Sequence, residues 1–239
     1  MKSVIVIPAR WASTRFPGKP LAPIAGISLI QRVYERAAES ERAAAVYVAT
    51  DDDRIAAHVT GFGGKVVRPE GTFATGTDRI AAAVAMFDEV YSHVVNVQGD
   101  EPLIDFRSID RIIAALEEGA DMATLACPIE TEEEYTSGDV VKVVTDLSGN
   151  AMYFSRAAIP YRSRGIARRH IGLYGYQSHV LHTLSETAPS VLEVAESLEQ
   201  LRALQNGFRI KVLHTDKPHL GVDRPEDVLR VESEIAKLR

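Results

Sequence analysis

The chain has few of the features that mark exported, membrane-bound or nucleic-acid-binding proteins. It contains one cysteine in 239 residues, Cys127, which excludes an internal disulfide and suits a reducing compartment. The apolar run at residues 3–8 is shorter than a signal-peptide core, and no stretch approaches the roughly 20 apolar residues that span a bilayer. The net charge of −6 lacks the basic excess of nucleic-acid binders. We therefore expect a cytoplasmic protein with no membrane or nucleic-acid partner.

The chain does contain enough apolar sequence for a globular core, since 46% of its residues are hydrophobic and 25% are charged. Short apolar runs alternate with helical patterns: the runs are 3–8, 45–50 and 94–97, and the helical patterns are 29–40, 54–62, 78–87 and 108–118. Runs that are apolar throughout are typical of strands covered on both faces. The alternation predicts an α/β fold with a Rossmann-like, doubly wound and mostly parallel sheet.

The rhythm changes at about residue 130, where strand-like segments follow one another closely at 140–145, 151–154 and 171–177. This change predicts a β-rich lobe inserted at about 130–180 into a single domain that spans 1–239. A helix at 194–205, a strand at 209–214 and a final helix from residue 224 complete the predicted order.

A basic loop follows the first predicted strand. Arg10, Arg15 and Lys19 lie within ten residues, and Pro17 and Gly18 prevent a helix from starting between them. These cations can converge on one polyanion such as a triphosphate, although a solvated basic loop is the simpler alternative. Neither a P-loop nor a Gly-x-Gly-x-x-Gly fingerprint is present, which argues against an NAD-dependent oxidoreductase.

Two aspartates are candidate ligands for Mg²⁺. Asp100 follows a predicted strand and Gly99, which would let the backbone approach a ligand closely, although a turn carboxylate is an alternative. Asp223 precedes the final helix and could instead cap it. With Pro225 at the first helical position, however, the cap is Arg224, so Asp223 comes one residue too early.

Nine short motifs occur in order along nearly the whole chain. They are IPAR at 7–10, RFPGKP at 15–20, ATD at 49–51, GTDR at 76–79, VQGDEP at 97–102, YFSR at 153–156, HIGLY at 170–174, LEQLR at 198–202 and GVD at 221–223. Together they resemble the 3-deoxy-manno-octulosonate (KDO) cytidylyltransferase family. The basic opening separates the chain from sugar-1-phosphate nucleotidyltransferases, which begin with a glycine-rich loop.

The resemblance implies transfer of CMP from CTP to KDO for lipopolysaccharide biosynthesis, with Mg²⁺, in a homodimer whose contacts come partly from the lobe. It also implies roles for individual residues. The nucleotide site would comprise Ala9, Arg10, Arg15, Lys19, Thr75, Gly76 and Gln98. Asp100 and Asp223 would bind the metal, and together with Lys19 they would form the catalytic set. The sugar site would comprise Arg79, Gln98, Arg156, His170, Tyr174, Glu199 and Gln200, with Arg79 or Arg156 on the sugar carboxylate and His170 as a hydrogen-bond donor.

Two departures from the family pattern qualify these expectations. Thr75 replaces a usual serine and keeps the hydroxyl, whereas the segment 161–169 is short and rich in arginine. The second departure bears on the dimer contact and on recognition of the far end of the sugar, and it keeps open an amino-substituted relative, 8-amino-KDO. Within the same enzyme class, the nearest rival acts on a sialic acid and differs in the residues that hold the sugar tail. A non-catalytic nucleotide-sugar sensor is a further alternative, against which Asp100 and Asp223 argue.

Overall fold

A computed structural model describes residues 1–12, 15–73, 75–162, 164–216 and 220–237. Its strands are β1 (Ser3–Pro8), β2 (Pro23–Ile24), β3 (Ile27–Ser28), β4 (Ala45–Ala49), β5 (Val66–Val67), β6 (His93–Asn96), β7 (Met122–Pro128), β8 (Lys142–Thr145), β9 (Ala151–Ser155), β10 (Arg168–Gln177) and β11 (Ile210–His214). Its helices are α1 (Leu29–Ala38), α2 (Asp53–Gly61), α3 (Gly76–Val84), α4 (Phe106–Glu117), α5 (Glu132–Thr136), α6 (Ser178–Glu186), α7 (Val191–Glu196), α8 (Gln200–Gln205) and α9 (Pro225–Lys237). The chain forms two compact units, 1–110 with 219–239 and 111–218, and the boundary falls within α4.

The first unit is built on a parallel sheet with the strand order β6-β1-β4-β5. Four consecutive apolar side chains of β1, from Val4 to Ile7, are fully buried, as the unbroken apolar run predicted for a central strand. Each such side chain contributes about 1.5–3 kcal/mol by leaving water. The carboxyl ends of β1, β4 and β6 therefore lie along one edge of a rigid sheet.

The helices of this unit begin where their sequences provide caps. Ser28 accepts a hydrogen bond from the backbone N–H of Gln31 and starts α1, whose buried face is formed by Leu29, Ile30, Val33 and Ala37. Thr75 and Asp78 form a reciprocal capping box at the start of α3. These caps fix the points at which the loops after the strands end.

In the second unit, β7 pairs in parallel with β11 and antiparallel with β10. The strands β8 and β9 form an antiparallel hairpin, and β8 also pairs with β10. Gly175 of β10 lies against α4, where an added Cβ would be 2.3 Å from Ile112. The strands β8, β9 and β10 fall within the predicted lobe, whereas β7 precedes it, and the lobe's limits at 130–180 stay a prediction.

The prediction of one helix over 194–205 is wrong. The chain forms two short helices, α7 and α8, separated by Ser197 in the left-handed region at φ 54°. A buried ion pair holds the bend, because Arg202 Nε donates to Glu193 Oε2 at 2.8 Å. Val194, the first residue of the single helix predicted there, lies in α7 and is 68% exposed. Within the described ranges, no helix combines the length and apolar character needed to cross a bilayer.

Candidate active site

The basic loop, residues 9–19, leaves the carboxyl end of β1 and closes on itself. Gly18 adopts a left-handed conformation at φ 71°, and its N–H donates to the carbonyl of Trp11 at 3.2 Å. Arg10, Arg15 and Lys19 all line one cavity of about 540 Å³. Ser13 and Thr14 of this loop lie outside the described residues. The three predicted cations therefore face a common space large enough for a nucleotide.

Lys19 contacts both candidate metal ligands. Its Nζ donates to Asp100 Oδ2 at 2.8 Å and lies 3.6 Å from Asp223 Oδ1. The backbone N–H of Val222 donates to the Asp100 carbonyl at 2.9 Å, which fixes the segment carrying Asp223 beside Asp100. Two aspartates more than 120 residues apart thus converge on one positive charge.

The helix that follows Asp223 is capped by a different carboxylate. Helix α9 begins at Pro225, as predicted, and Asp227 Oδ2 accepts hydrogen bonds from the N–H groups of Asp223 and Arg224, each at 2.9 Å. Because Asp227 satisfies these backbone donors, the side chain of Asp223 is available to the cavity, where it is 68% exposed. The alternative role of Asp223 as a helix cap is therefore not observed.

The surroundings of Asp100 disfavour the ionised form of its carboxyl group, even with Lys19 beside it. Burial raises the pKa of its carboxyl group and the nearby carboxylates of Glu101 and Asp223 add to the rise, while the Lys19 ammonium opposes it. Gly99 brings this aspartate close to β1, since an added Cβ would lie 2.8 Å from the Pro8 carbonyl oxygen. The glycine is thus required for a close contact between backbone segments, in addition to lining the cavity.

The start of α3 forms another wall of the same cavity, through Thr75, Gly76 and Arg79. The Thr75 hydroxyl accepts a hydrogen bond from the backbone N–H of Asp78 at 3.1 Å, so it acts as the helix cap. Ala9 and Gln98 also line the cavity. All residues predicted for the nucleotide and the metal therefore surround one space, and their binding roles stay predictions.

Arg79 is held in position by Asp51 and Phe73, for which no role was predicted from the sequence. Its Nη1 lies 3.0 Å from Asp51 Oδ1, and its guanidinium lies over the ring of Phe73, 5.0 Å from the centroid. The hydrogen bond from Arg79 lowers the pKa of the Asp51 carboxyl group. Asp51 follows the end of β4 by two residues, so the rule that ligand sites lie beyond strand ends could have identified it.

The remaining sugar-site candidates belong to the second unit. Arg156 is held by backbone acceptors: its Nε donates to the Glu196 carbonyl at 2.9 Å, and its Nη1 donates to the Gly138 carbonyl at 2.9 Å. Its own N–H donates to Glu196 Oε2 at 2.8 Å. Arg156 therefore links the end of β9 to the end of α7 through hydrogen bonds. That it binds the sugar carboxylate stays a prediction.

His170 is neutral at physiological pH, because burial lowers its pKa to about 3. Its Nε2 lies 3.0 Å from the Thr124 hydroxyl oxygen, which also lies 3.1 Å from the Ile171 carbonyl oxygen and 2.9 Å from that of Leu173. The hydroxyl has one hydrogen to share among these three acceptors, so the contact fits either neutral tautomer of His170. A role of His170 as a hydrogen-bond donor to the sugar stays a prediction.

Tyr174 and Gln200 are also partly or fully buried in this unit. The ring of Tyr174 packs 5.3 Å from that of His170, and burial raises the tyrosine pKa well above its usual value. Glu199 and Gln200 stand at the start of α8, and Gln200 Nε2 is buried without a hydrogen-bond partner in the described chain. A buried amide donor of this kind needs a ligand or water to satisfy it.

The carboxylates of Asp100 and Asp223 suit Mg²⁺ better than a metal ion whose ligands are all protein side chains. Among the described residues, no group of three or more His, Cys, Asp or Glu is arranged to hold a metal. Mg²⁺ usually takes one or two carboxylates and completes its coordination with substrate phosphates and water. Asp100 and Asp223, already drawn to the charge of Lys19 beside a basic cavity, meet that requirement.

A parallel sheet with a basic loop and two carboxylates at its carboxyl edge is the arrangement of a nucleotide-binding α/β enzyme. The family model for cytidylyltransferases matches residues 4–211. The chain therefore belongs to the cytidylyltransferase family.

Comparison with individual proteins shows which cytidylyltransferases the chain resembles. The chain is 50% identical, over all of both sequences, to the 3-deoxy-manno-octulosonate cytidylyltransferase of Syntrophotalea carbinolica. It is 44% identical, again over all of both sequences, to the enzyme of the same name from Geobacter metallireducens. A solved structure described as CMP:2-keto-3-deoxy-manno-octonic acid synthetase complexed with CTP matches with a TM-score of 0.94 and 38% identity, over all of both chains. The prediction of a Rossmann-like α/β fold is confirmed by this match.

Proposed function

We propose that the chain transfers CMP from CTP to KDO, giving CMP-KDO and pyrophosphate for lipopolysaccharide biosynthesis. The observation that carries the proposal is the convergence of Asp100 and Asp223 on Lys19, inside a cavity that Arg10 and Arg15 also line. Identities of 44–50% over full length to enzymes of this name support the choice of substrates.

The chemistry requires the anomeric hydroxyl oxygen of the sugar to attack the α-phosphorus of CTP. One P–O bond forms, the bond to the pyrophosphate oxygen breaks, and the hydroxyl proton is released. The protein contributes position and charge, because phosphoryl transfer needs little covalent help. Lys19 and Arg15 would stabilise the departing pyrophosphate, and Arg10 would hold the triphosphate.

Asp100 and Asp223 would hold Mg²⁺. The bound cation would offset charge on the α-phosphate and make the attacking hydroxyl more acidic. Lys19 supports this assignment, since an ammonium group already attracts both carboxylates. The raised pKa of Asp100 fits a residue whose charge is compensated fully only when its ligands are bound.

Arg79 is the better supported of the two candidates for the sugar carboxylate. It lines the cavity, and Asp51 and Phe73 fix its guanidinium. The arginines of 161–169, which suggested a different sugar, are partly neutralised within their own unit: Arg164 lies 3.4 Å from Glu132, and Arg169 lies 3.1 Å from Glu134. Nothing in these contacts favours 8-amino-KDO or a sialic acid over KDO.

A homodimer and a cytoplasmic location are parts of the same proposal. The apolar side chains of Met152, Tyr161 and Ile166 in the predicted lobe are 65%, 78% and 67% exposed, as expected for a surface that a second copy covers. Cys127 is buried and unpaired, which suits a reducing compartment. Light scattering coupled to size-exclusion chromatography would measure the mass of the particle, and a monomer at micromolar concentration would refute the dimer.

The proposed activity is tested with a matrix of nucleotides and acidic sugars, scored by pyrophosphate release. CTP with KDO and Mg²⁺ should give the highest kcat/KM, with UTP, 8-amino-KDO and sialic acid at least tenfold lower. Omission of Mg²⁺ or addition of a chelator should abolish release. A higher kcat/KM with another sugar acid would replace KDO as the substrate, and nucleotide binding without release would indicate a sensor.

A further inference from the structure

Trp11, the single tryptophan of the chain, connects the basic loop to helix α2. The guanidinium of Arg54 lies over the indole ring, with Cζ 3.4 Å from the ring centroid. Guanidinium groups stack favourably on indole faces through cation–π attraction. Arg54 is itself 56% exposed, so the core of the unit does not depend on its side chain.

The same guanidinium group of Arg54 is fixed along its edge by Asp52. Its Nε and Nη2 donate to the two carboxylate oxygens of Asp52, at 3.0 Å and 2.6 Å. Asp52 also caps α2, because its Oδ1 accepts from the N–H groups of Arg54 and Ile55. The guanidinium plane therefore has a defined orientation relative to the first turn of a helix.

Trp11 links the two ends of the basic loop. Trp11 directly follows Arg10, and its ring is so close to Gly18 that an added Cβ would lie 3.0 Å from two ring atoms. Lys19 directly follows Gly18. A displacement of the ring would thus move Arg10 and Lys19, two of the cations that line the cavity.

We infer that Arg54 is a positioning residue for polyphosphate binding: by stacking on Trp11 it holds Arg10 and Lys19 in the geometry that receives the triphosphate. The inference deepens the proposed function, on which it rests for the identity of the nucleotide. Loss of a partly exposed cation–π contact should weaken polyphosphate binding about two- to fivefold. The sugar site and the chemical step should change much less.

The test compares Arg54→Ala and Arg54→Lys with the wild type, and Arg107→Ala is the matched control. Arg107 belongs to the same unit, pairs with an aspartate and lies 4.8 Å from the ring of Phe106, so its loss removes the same charge and a similar contact away from the loop. Calorimetry measures the Kd for pyrophosphate, and acrylamide quenching of the single tryptophan reports the exposure of Trp11. Steady-state kinetics gives KM for CTP, KM for KDO and kcat.

We expect Arg54→Ala to raise the pyrophosphate Kd and the CTP KM about two- to fivefold, with increased quenching and with kcat and the KDO KM unchanged. Arg54→Lys should recover part of the binding, and Arg107→Ala should match the wild type. Unchanged pyrophosphate binding in Arg54→Ala, or equal weakening in Arg107→Ala, would overturn the inference. If the wild type released no pyrophosphate from CTP but Arg54→Ala still weakened pyrophosphate binding, the proposed function would fail and the positioning role would stand.

Discussion

Replacement of Asp100 by asparagine tests whether the carboxylate of this residue acts in catalysis or only supports the fold. The substitution keeps the size of the side chain and removes its charge, so a metal ligand is lost while an oxygen that can accept from Lys19 is kept. We expect kcat to fall by at least about 10³-fold, which corresponds to about 4 kcal/mol of transition-state stabilisation.

The effect on stability follows from the surroundings of Asp100. The folded-state pKa is raised, chiefly by burial and despite the attraction of Lys19, so the ionised carboxylate is less favourable in the folded protein than in the unfolded chain. A raised pKa contributes stability at low pH that is lost as the pH rises through the folded value. Asparagine removes this cost and can still accept from Lys19, so the free energy of unfolding at pH 7 should change by less than about 1 kcal/mol and Tm by less than about 4 °C.

The assay pairs pyrophosphate release with calorimetric Tm, and Asp146→Asn is the charge-matched control. Asp146 Oδ1 accepts hydrogen bonds from the backbone N–H groups of Ser148 and Asn150 in an exposed turn, which the asparagine Oδ1 can also accept, so this variant should keep full activity. A kcat reduced less than tenfold in Asp100→Asn would remove Asp100 from the metal site. A fall in Tm of more than about 8 °C would identify it as a structural residue instead.

Three further substitutions test separate parts of the account. Gly99→Ala places a Cβ 2.8 Å from the Pro8 carbonyl oxygen and should lower the free energy of unfolding by about 1–3 kcal/mol in urea denaturation. His170→Gln should flatten the pH dependence of stability. In the wild type, the unfolded chain binds a proton at His170 below the usual pKa of 6.5, whereas the folded chain does so only near 3. The free energy of unfolding of the wild type should therefore fall as the pH drops below 6.5, by up to about 2 kcal/mol at pH 5. Asp51→Asn removes the charge partner of Arg79 and should raise KM for the acidic sugar severalfold, with KM for CTP unchanged.

Each of these expectations has a contrary result. Gly61→Ala is the control for the first, since apart from its own helical turn no described part of the chain lies within 4 Å of an added Cβ there, and equal stabilities of the two alanine variants would refute the backbone contact. Parallel pH profiles for the wild type and His170→Gln would show that His170 is not held neutral. A rise in the CTP KM equal to that for the sugar would show that Asp51 supports the cavity as a whole.

Much of the first unit was predictable because its local and long-range signals agree. The run at 3–8 became β1 with the predicted bounds, and Pro225 began α9, since apolar burial and proline geometry act within a few residues. The rule that ligand residues follow strand ends placed Lys19 and Asp100 at one edge of the sheet. The position of Pro225 also predicted that Asp223 does not cap the final helix, and in the structure Asp227 accepts from the N–H groups of Asp223 and Arg224.

Features that depend on contacts between distant segments could not be predicted. The bend at Ser197 is held by the Glu193–Arg202 pair, whereas the apolar spacing at 194–205 favoured one continuous helix. The contact between His170 and Thr124 joins two neighbouring strands, β10 and β7. The anchoring of Arg79 by Asp51 likewise joins residues 28 positions apart. Such pairings are set by the packing of elements, which periodicity does not encode.

The most direct test of the central claim is a crystal structure of the chain with Mg²⁺ and CTP. Oxygen atoms of both Asp100 and Asp223 should coordinate the cation at about 2.0–2.1 Å, with Lys19, Arg10 and Arg15 on the phosphates. A cation held by the phosphates while either aspartate kept only its contact with Lys19 would contradict the account.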